Sequence, residues 1–306
     1  MKSARSVRIF TGISIATLAI SAISALAFGT VSASITKIDA FAGIDKRPDK
    51  KSSAINYLLV GSDTREGLTK AELKELRVGS VATAAGKRSD TMLLVHISKA
   101  RDKAVLVSIP RDTFALIPAH LNKAGKTIPA VHSKINSAFN WGGAPLLIQT
   151  IEEMTQLKID HYVEVNFAGF ASVIDSLGGI EVCTKKDIDD PKSHLVLPAG
   201  VHTLNGIEAL KYVRTREFDG MGDIGRMQRQ QAFMSSVLKK ATSAGVLLNP
   251  ITMTSFINSS LAAVTTDEGL KNSDLITLAK QMKSLATSNV RTLTVPLSDL
   301  NYYSNG

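Results

Sequence analysis

Apolar and polar positions along the chain switch repeatedly between two spacings. Ile55–Gly61 (INYLLVG) is a short, almost continuous apolar run closed by a turn residue, the pattern of a buried strand. Thr91–Ser98 (TMLLVHIS) and Ala104–Pro110 (AVLVSIP) repeat it, and the short link between them predicts a hairpin. His161–Asn166 (HYVEVN) alternates like a strand, and GGIEVC, ending at Cys183, reads as a buried one. Helical spacing runs through Ser137–Met154, FAGFASVIDSL, Leu204–Val213 and Asp223–Ala241. Two more helices and a terminal strand, VRTLTVPL, close the chain. This interleaving predicts an α/β fold, a mixed central β-sheet sandwiched by helices.

One segment has neither spacing. Ile9–Thr36 carries no charged residue. As a helix it is roughly 42 Å long, enough to cross a ~30 Å hydrocarbon core with tilt. Lys2, Arg5 and Arg8 precede it without an acid. The positive-inside rule therefore puts the N-terminus in the cytoplasm and the rest of the chain outside. A cleaved signal peptide is the rival, but the apolar run exceeds the ~7–15 residues of such segments. The organisation expected is a cytoplasmic tail (1–8), a single transmembrane anchor (9–36), a stem (37–54), an extracellular catalytic domain (55–245) and a C-terminal helical extension with a final strand packed on the domain (246–306).

Composition narrows the chemistry. The net charge of +9 is shared between the tail, the stem and the domain, which keeps about +4 for itself. A nucleic-acid binder concentrates more charge on one face. Six histidines show no HExxH pattern, so a zinc hydrolase is not expected. The single cysteine, Cys183, excludes an internal disulfide and reads as a small core hydrophobe. Gly79–Ser89 has six residues between its glycines where a phosphate-binding P-loop has four. It reads as a flexible insertion.

Charged residues stand where the predicted strands end. INYLLVG runs into Asp63 and Arg65, Arg88 and Asp90 lead into the next strand, and AVLVSIP ends in Arg111 and Asp112. HSKIN offers Lys134 and Asn136. Arg214 and Arg216 share a side if the chain is extended there. Arg226, Arg229 and Gln230 share a helical face, with Asp223 as the expected N-cap. Any one of these reads as ordinary surface. Five segments together point to an anionic partner, since converging guanidiniums repel one another without one. Phosphate matches the guanidinium fork, and a hard divalent cation reconciles Asp63 and Asp90 with it.

In order, LLVGSDTRE, KRSDTMLLVHI, VLVSIPRDT, HSKINSAF, DHYVEVNFAGFASVIDSLGGIEV, LNGIEALKYVRTRE and DIGRMQRQQ resemble the motifs of the LytR-CpsA-Psr family. That resemblance implies a phosphotransferase of Gram-positive envelopes. It would move a glycopolymer from a polyprenyl-pyrophosphate carrier in the membrane onto peptidoglycan through a phosphodiester. The family's pyrophosphate-binding positions fall on Arg111, Arg214, Arg216, Arg226 and Gln230, and its magnesium-binding aspartates on Asp63 and Asp90. Mg²⁺ or Mn²⁺ is the implied cofactor. Arg65, Arg88, Arg111 and Asp112 match the remaining catalytic motif positions, and Asp63, Asp90 and Asp112 are the candidate proton acceptors. The stretch Gly67–Lys87 is longer than in compact members. Two alternatives stay open on sequence: hydrolysis of the polyprenyl pyrophosphate by water, and a non-enzymatic envelope anion-binding or regulatory protein.

Overall fold

A computed structural model describes residues 35–76, 78, 89–122, 124–215, 222–241, 243–271, 274 and 290–294. In chain order its strands are β1 (Thr36–Ile38), β2 (Ile55–Ser62), β3 (Ser89–Ile97), β4 (Ala104–Ile109), β5 (Phe114–Ile117), β6 (His120–Leu121), β7 (Thr127–Ile128) and β8 (Val131–Lys134). They continue with β9 (His161–Val165), β10 (Ile180–Thr184), β11 (Ile188–Asp190), β12 (Leu195–Leu197), β13 (Gly200–Leu204), β14 (Val264–Asp267) and β15 (Val290–Thr294). The helices are α1 (Lys70–Leu76), α2 (Ile135–Thr155), α3 (Phe167–Ser176), α4 (Gly206–Arg214), α5 (Gly222–Ala241), α6 (Ala244–Leu247) and α7 (Pro250–Ala262).

The central sheet has the order β1-β14-β9-β2-β3-β4-β15. It is mixed, as expected. β9 and β15 run parallel to β2 and β4, whereas β3 and β14 run against them. The hairpin β3–β4 pairs Met92 with Ile109 and Ile97 with Ala104. Because of these directions, the C-terminal ends of β2, β4, β9 and β15 and the N-terminal ends of β3 and β14 meet along one edge. Loops at such an edge converge on a common space.

Alternation along the strands makes two apolar faces. Leu58, Val60, Met92, Leu94, Ile109 and Tyr162 pack under α2 through Leu147, Ile148 and Ile151. Tyr57, Leu59, Val95, Ile97 and Val163 line the other face with Leu270. Gln231 of α5 reaches that second face, donating its Nε2 to Ser108 Oγ of β4 at 3.0 Å. A second apolar cluster lies among the remaining elements, with Ile174, Ile180, Leu204, Tyr212 and Phe233 at its centre. There α4 approaches α3 so closely that a Cβ on Gly206 would sit 2.4 Å from the Ala171 carbonyl oxygen.

Several expectations change. The membrane anchor lies almost wholly outside the described residues, and no described helix is long and apolar enough to cross a membrane. The stem is part of the folded body. β1 pairs with β14, Ala40 is fully buried, and Arg47 holds Glu152 with Nε–Oε2 at 3.0 Å and Nη2–Oε1 at 2.7 Å. A short N-terminal strap is thereby fastened across the end of α2. The final strand packs on the domain as β15 beside β4, and β14, from the same C-terminal stretch, inserts between β1 and β9. β10 belongs to a separate hairpin with β13, and its alternation turns Ile180 and Val182 inward and Cys183 outward. Cys183 is thus exposed, not buried. Part of the insertion after Gly67 is ordered: α1 opens on a Thr69–Glu72 capping box and docks Leu76 against Leu210.

Candidate active site

The shared edge of the sheet gathers most of the predicted charges. Asp63 and Arg65 leave the end of β2, and both are half-buried. Between β2 and β3 the register shifts, with Gly61 opposite Thr91 and Ser62 opposite Ser89. Asp90 is the extra residue of this bulge, a device that re-aims a position at a strand end. Asp63 and Asp90 therefore stand on paired neighbouring strands at the same end. Aspartates at two neighbouring strand ends are residue types that suit Mg²⁺, which takes one or two protein carboxylates and completes its shell with water and phosphate oxygens. Among the described residues no cluster of three or more metal-ligating side chains forms.

Arg111 follows β4 directly. Its carbonyl accepts from the backbone N–H of Asn136 at 3.2 Å, in the first turn of α2. Asp112 divides its two oxygens between cations: Oδ2 lies 3.5 Å from Arg111 Nε and Oδ1 lies 3.1 Å from Lys134 Nζ. The predicted Lys134 and Asn136 thus belong to the same corner, Asn136 through its backbone.

From the adjacent strand, β9 ends at Val165 and Asn166 caps α3, accepting from Gly169 N–H at 2.7 Å. The next residue, Phe167, turns its ring toward Arg214, whose guanidinium carbon is 5.3 Å from the ring centre. The last turn of α4 is also held from α5. Arg229 Nη2 donates to the Thr215 carbonyl at 2.6 Å, and Gln230 Nε2 donates to the Val213 carbonyl at 3.2 Å. These two bonds bracket Arg214. One turn before them on the same helix, Arg226 is only 4% exposed. A guanidinium removed from water in this way attracts an anion more strongly than one in bulk solvent. Burial raises the pKa of the Tyr212 hydroxyl, with Arg229 pulling the opposite way, so it remains a neutral neighbour.

Not every predicted residue can be placed. Arg88 and Arg216 lie outside the described residues, and of Asp90 only the backbone position is described. Helix α5 starts at Gly222, which puts Asp223 inside the first turn and not at the cap. Sequence reasoning missed Phe167 as the platform under Arg214; the Asn166–Gly169 cap just before it was the available signal. It also merged Arg229 with Arg226, whereas Arg229 supports a backbone carbonyl.

The sequence profile of the LytR_cpsA_psr family matches residues 26–306. The chain belongs to the LytR_cpsA_psr family. Over 256 residues it is 36% identical to the probable cell wall biosynthesis protein LcpB of Corynebacterium glutamicum, covering 83% of this chain and 57% of that protein. It is 35% identical over 204 residues to the polyisoprenyl-teichoic acid–peptidoglycan teichoic acid transferase TagT of Bacillus subtilis, covering 65% of this chain and 56% of TagT. The chain thus spans little more than half the length of these relatives. The fold superposes on the crystal structure of B. subtilis TagV with a TM-score of 0.62 and 28% identity, covering 84% and 89% of the two chains. On TagT bound to LIIa-WTA the TM-score is 0.59 at 27% identity, covering 83% and 86%.

Proposed function

We propose that this LytR_cpsA_psr domain is a membrane-associated phosphotransferase that moves a glycopolymer from a polyprenyl-pyrophosphate carrier onto peptidoglycan, outside the cell membrane. The observation that carries it is the meeting, along one sheet edge, of the Asp63–Arg65 turn, the Asp90 bulge, Arg111 and the Phe167-backed Arg214. The similarity to TagT, named for transfer of teichoic acid to peptidoglycan, supports the same reaction class.

The chemistry asks little covalent work of the protein. An acceptor hydroxyl oxygen bonds to the glycan-linked phosphorus, the bond from that phosphorus to the bridging oxygen breaks, and polyprenyl phosphate leaves. The acceptor loses one proton. Arg111 and Arg214 hold the pyrophosphate from two sides, with Arg216 and the buried Arg226 completing the grip and Gln230 fixing the helix end that carries Arg214. Arg65 and Arg88 are assigned to the transferring phosphoryl group. Preorganised cations of this kind stabilise charge that spreads over a phosphoryl group in its transition state. Asp63 and Asp90 would hold Mg²⁺ or Mn²⁺, which supplies further charge neutralisation at the phosphate oxygens when bound. Asp112 is a positioning residue, since both its oxygens are engaged by Arg111 and Lys134. The acceptor's proton passes to a carboxylate of this edge or to solvent.

The test is a coupling assay. Full chain, a polyprenyl-pyrophosphoryl oligosaccharide, Mg²⁺ and peptidoglycan fragments are combined, and the phosphodiester-linked product is sought by mass spectrometry. Arg111→Ala and Asp63→Asn should each abolish product while leaving the folded chain intact. Product that survives both substitutions contradicts the assignment.

A further inference from the structure

A cavity of about 510 Å³ is not used by the chemistry above. It is lined by His120, Asn122, Ala124, Ile128, Asn140 and Trp141. Its size falls within the ~300–1,000 Å³ of small-molecule sites. One wall is aromatic: the His120 and Trp141 rings stack with centroids 5.5 Å apart and planes at 12°. Trp141 is the sole tryptophan of the chain.

The polar groups around this wall are fixed by their other bonds. His120 Nδ1 lies 2.9 Å from the Pro118 carbonyl oxygen, which can only accept, so Nδ1 is the donor. In the neutral ring Nε2 is then an acceptor. Asn122 Oδ1 accepts from the backbone N–H groups of Ala124 and Lys126 at 3.0 and 2.9 Å, so its amide N–H groups are turned elsewhere. Asn140 adds a half-buried amide, and Trp141 an indole N–H. An aromatic wall, the apolar side chains of Ala124 and Ile128 and a few donors and acceptors match a ligand with flat C–H faces and a rim of hydroxyls. A pyranose ring has that chemistry; an anion does not.

Position connects the cavity to the transfer. Asn136 N–H holds the Arg111 carbonyl, and Asn140 and Trp141 follow four and five residues later on the same helix. That is roughly 6–8 Å along the axis. Just beyond, Gly143 at φ 65° and ψ −152°, with Pro145 after it, breaks the regular helix. The kink ends the straight segment that joins Arg111 to the cavity.

We infer that the His120–Trp141 cavity is a saccharide subsite, holding a pyranose unit next to the phosphoryl group being transferred. This rests on the phosphotransferase reading for its role, though not for its chemistry. The pyranose can come from the acceptor glycan strand or from the donor glycan.

The experiment has a binding arm and a kinetic arm, both on the full chain. In the first, Trp141 fluorescence is followed while a β-1,4-linked N-acetylglucosamine oligosaccharide and, separately, a polyprenyl-pyrophosphoryl disaccharide are titrated. A saturable change with at least one of them is expected, and Asn140→Ala, which keeps the fluorophore, should weaken it about tenfold, or ~1.4 kcal/mol. No change with either sugar through the millimolar range overturns the subsite. In the second arm, Trp141→Ala and Asn140→Ala are assayed for transfer. A raised KM for acceptor alone assigns the pyranose to the acceptor strand, and a raised KM for donor alone assigns it to the donor. Unchanged KM for both overturns the proposal. Sugar-dependent fluorescence without turnover upholds the subsite and removes the transferase reading instead.

Discussion

Arg214 is set over the ring of Phe167, its guanidinium carbon 5.3 Å from the ring centre. Phe167 is the first residue of α3, just past the end of β9, so the sheet edge itself aims this arginine. The contact joins the two halves of the candidate site, one built on strand ends and one on helix ends. A cation over an aromatic face gains about 0.5–2 kcal/mol, and Arg loses less freedom on binding a phosphate when it is already oriented. Phe167→Leu keeps an apolar side chain and removes the aromatic platform. It should lower kcat/KM for the lipid-linked donor about tenfold, with the melting temperature lowered only by the few degrees that a small core truncation costs. Steady-state kinetics beside a thermal melt checks both halves of that statement.

Arg226 and Arg229 are one turn apart and do different things. Arg229 donates to the carbonyl of the fully buried Thr215. Truncating it leaves that oxygen unsatisfied, at about 1–3 kcal/mol. Arg229→Ala is therefore expected to lower the midpoint of urea unfolding clearly. Arg226→Ala should act mainly on donor affinity, because it removes one of several converging cations. Equal stability losses, with donor binding intact in both, would be incompatible with this division.

The strap beneath α2 is a third test. Glu152 is 1% exposed and is held by Arg47 in two bonds and by Ile159 N–H at 2.7 Å. Arg47 also stacks on Phe41, 4.2 Å from its ring centre. Breaking a buried ion pair from one side costs about 3–5 kcal/mol. Arg47→Ala should destabilise the chain by that order and open the segment around residues 39–50 to limited proteolysis. A cut pattern identical to the wild type would mean the strap is not held by this pair.

Acid should loosen the sheet at β14. Burial raises the Asp267 carboxyl, but the hydrogen bonds from His161 and from the Tyr162 N–H outweigh it and hold its pKa below the ordinary value of 3.8. A carboxyl depressed in the folded state contributes stability above its unfolded pKa and loses it as pH falls through the folded value. The wild type should therefore lose stability as pH drops below about 4, and Asp267→Asn should show a shallower slope over the same window. Denaturant unfolding at a series of pH values gives both slopes directly.

Much of this was legible in the sequence, and the exceptions have physical causes. Asp63, Arg65, Arg111 and Asp112 could be placed at strand ends because buried apolar runs stop abruptly at them. Asp90 was found the same way, though not the bulge that offsets it, since bulges leave no periodic trace. The strap from Thr36 to Arg47 reads as a polar linker by composition. Its order comes from a long-range ion pair and a three-residue strand, which no local pattern displays. Cys183 was misread because an apolar run was taken as buried on both faces, whereas the two-stranded hairpin β10–β13 leaves one face open. Phe167 falls in a run of helical spacing, and only the three-dimensional approach of α4 gives it a cation to carry.

The central claim is transfer to a sugar hydroxyl in place of water. It is tested most directly by running the complete reaction in ¹⁸O-labelled water and reading the oxygen isotopes of the glycan-linked phosphate by mass spectrometry. Transfer predicts a phosphodiester joined to peptidoglycan with no solvent oxygen on its phosphorus. Free glycan phosphate carrying one ¹⁸O, with no coupled product, would mean that these arginines serve a hydrolase.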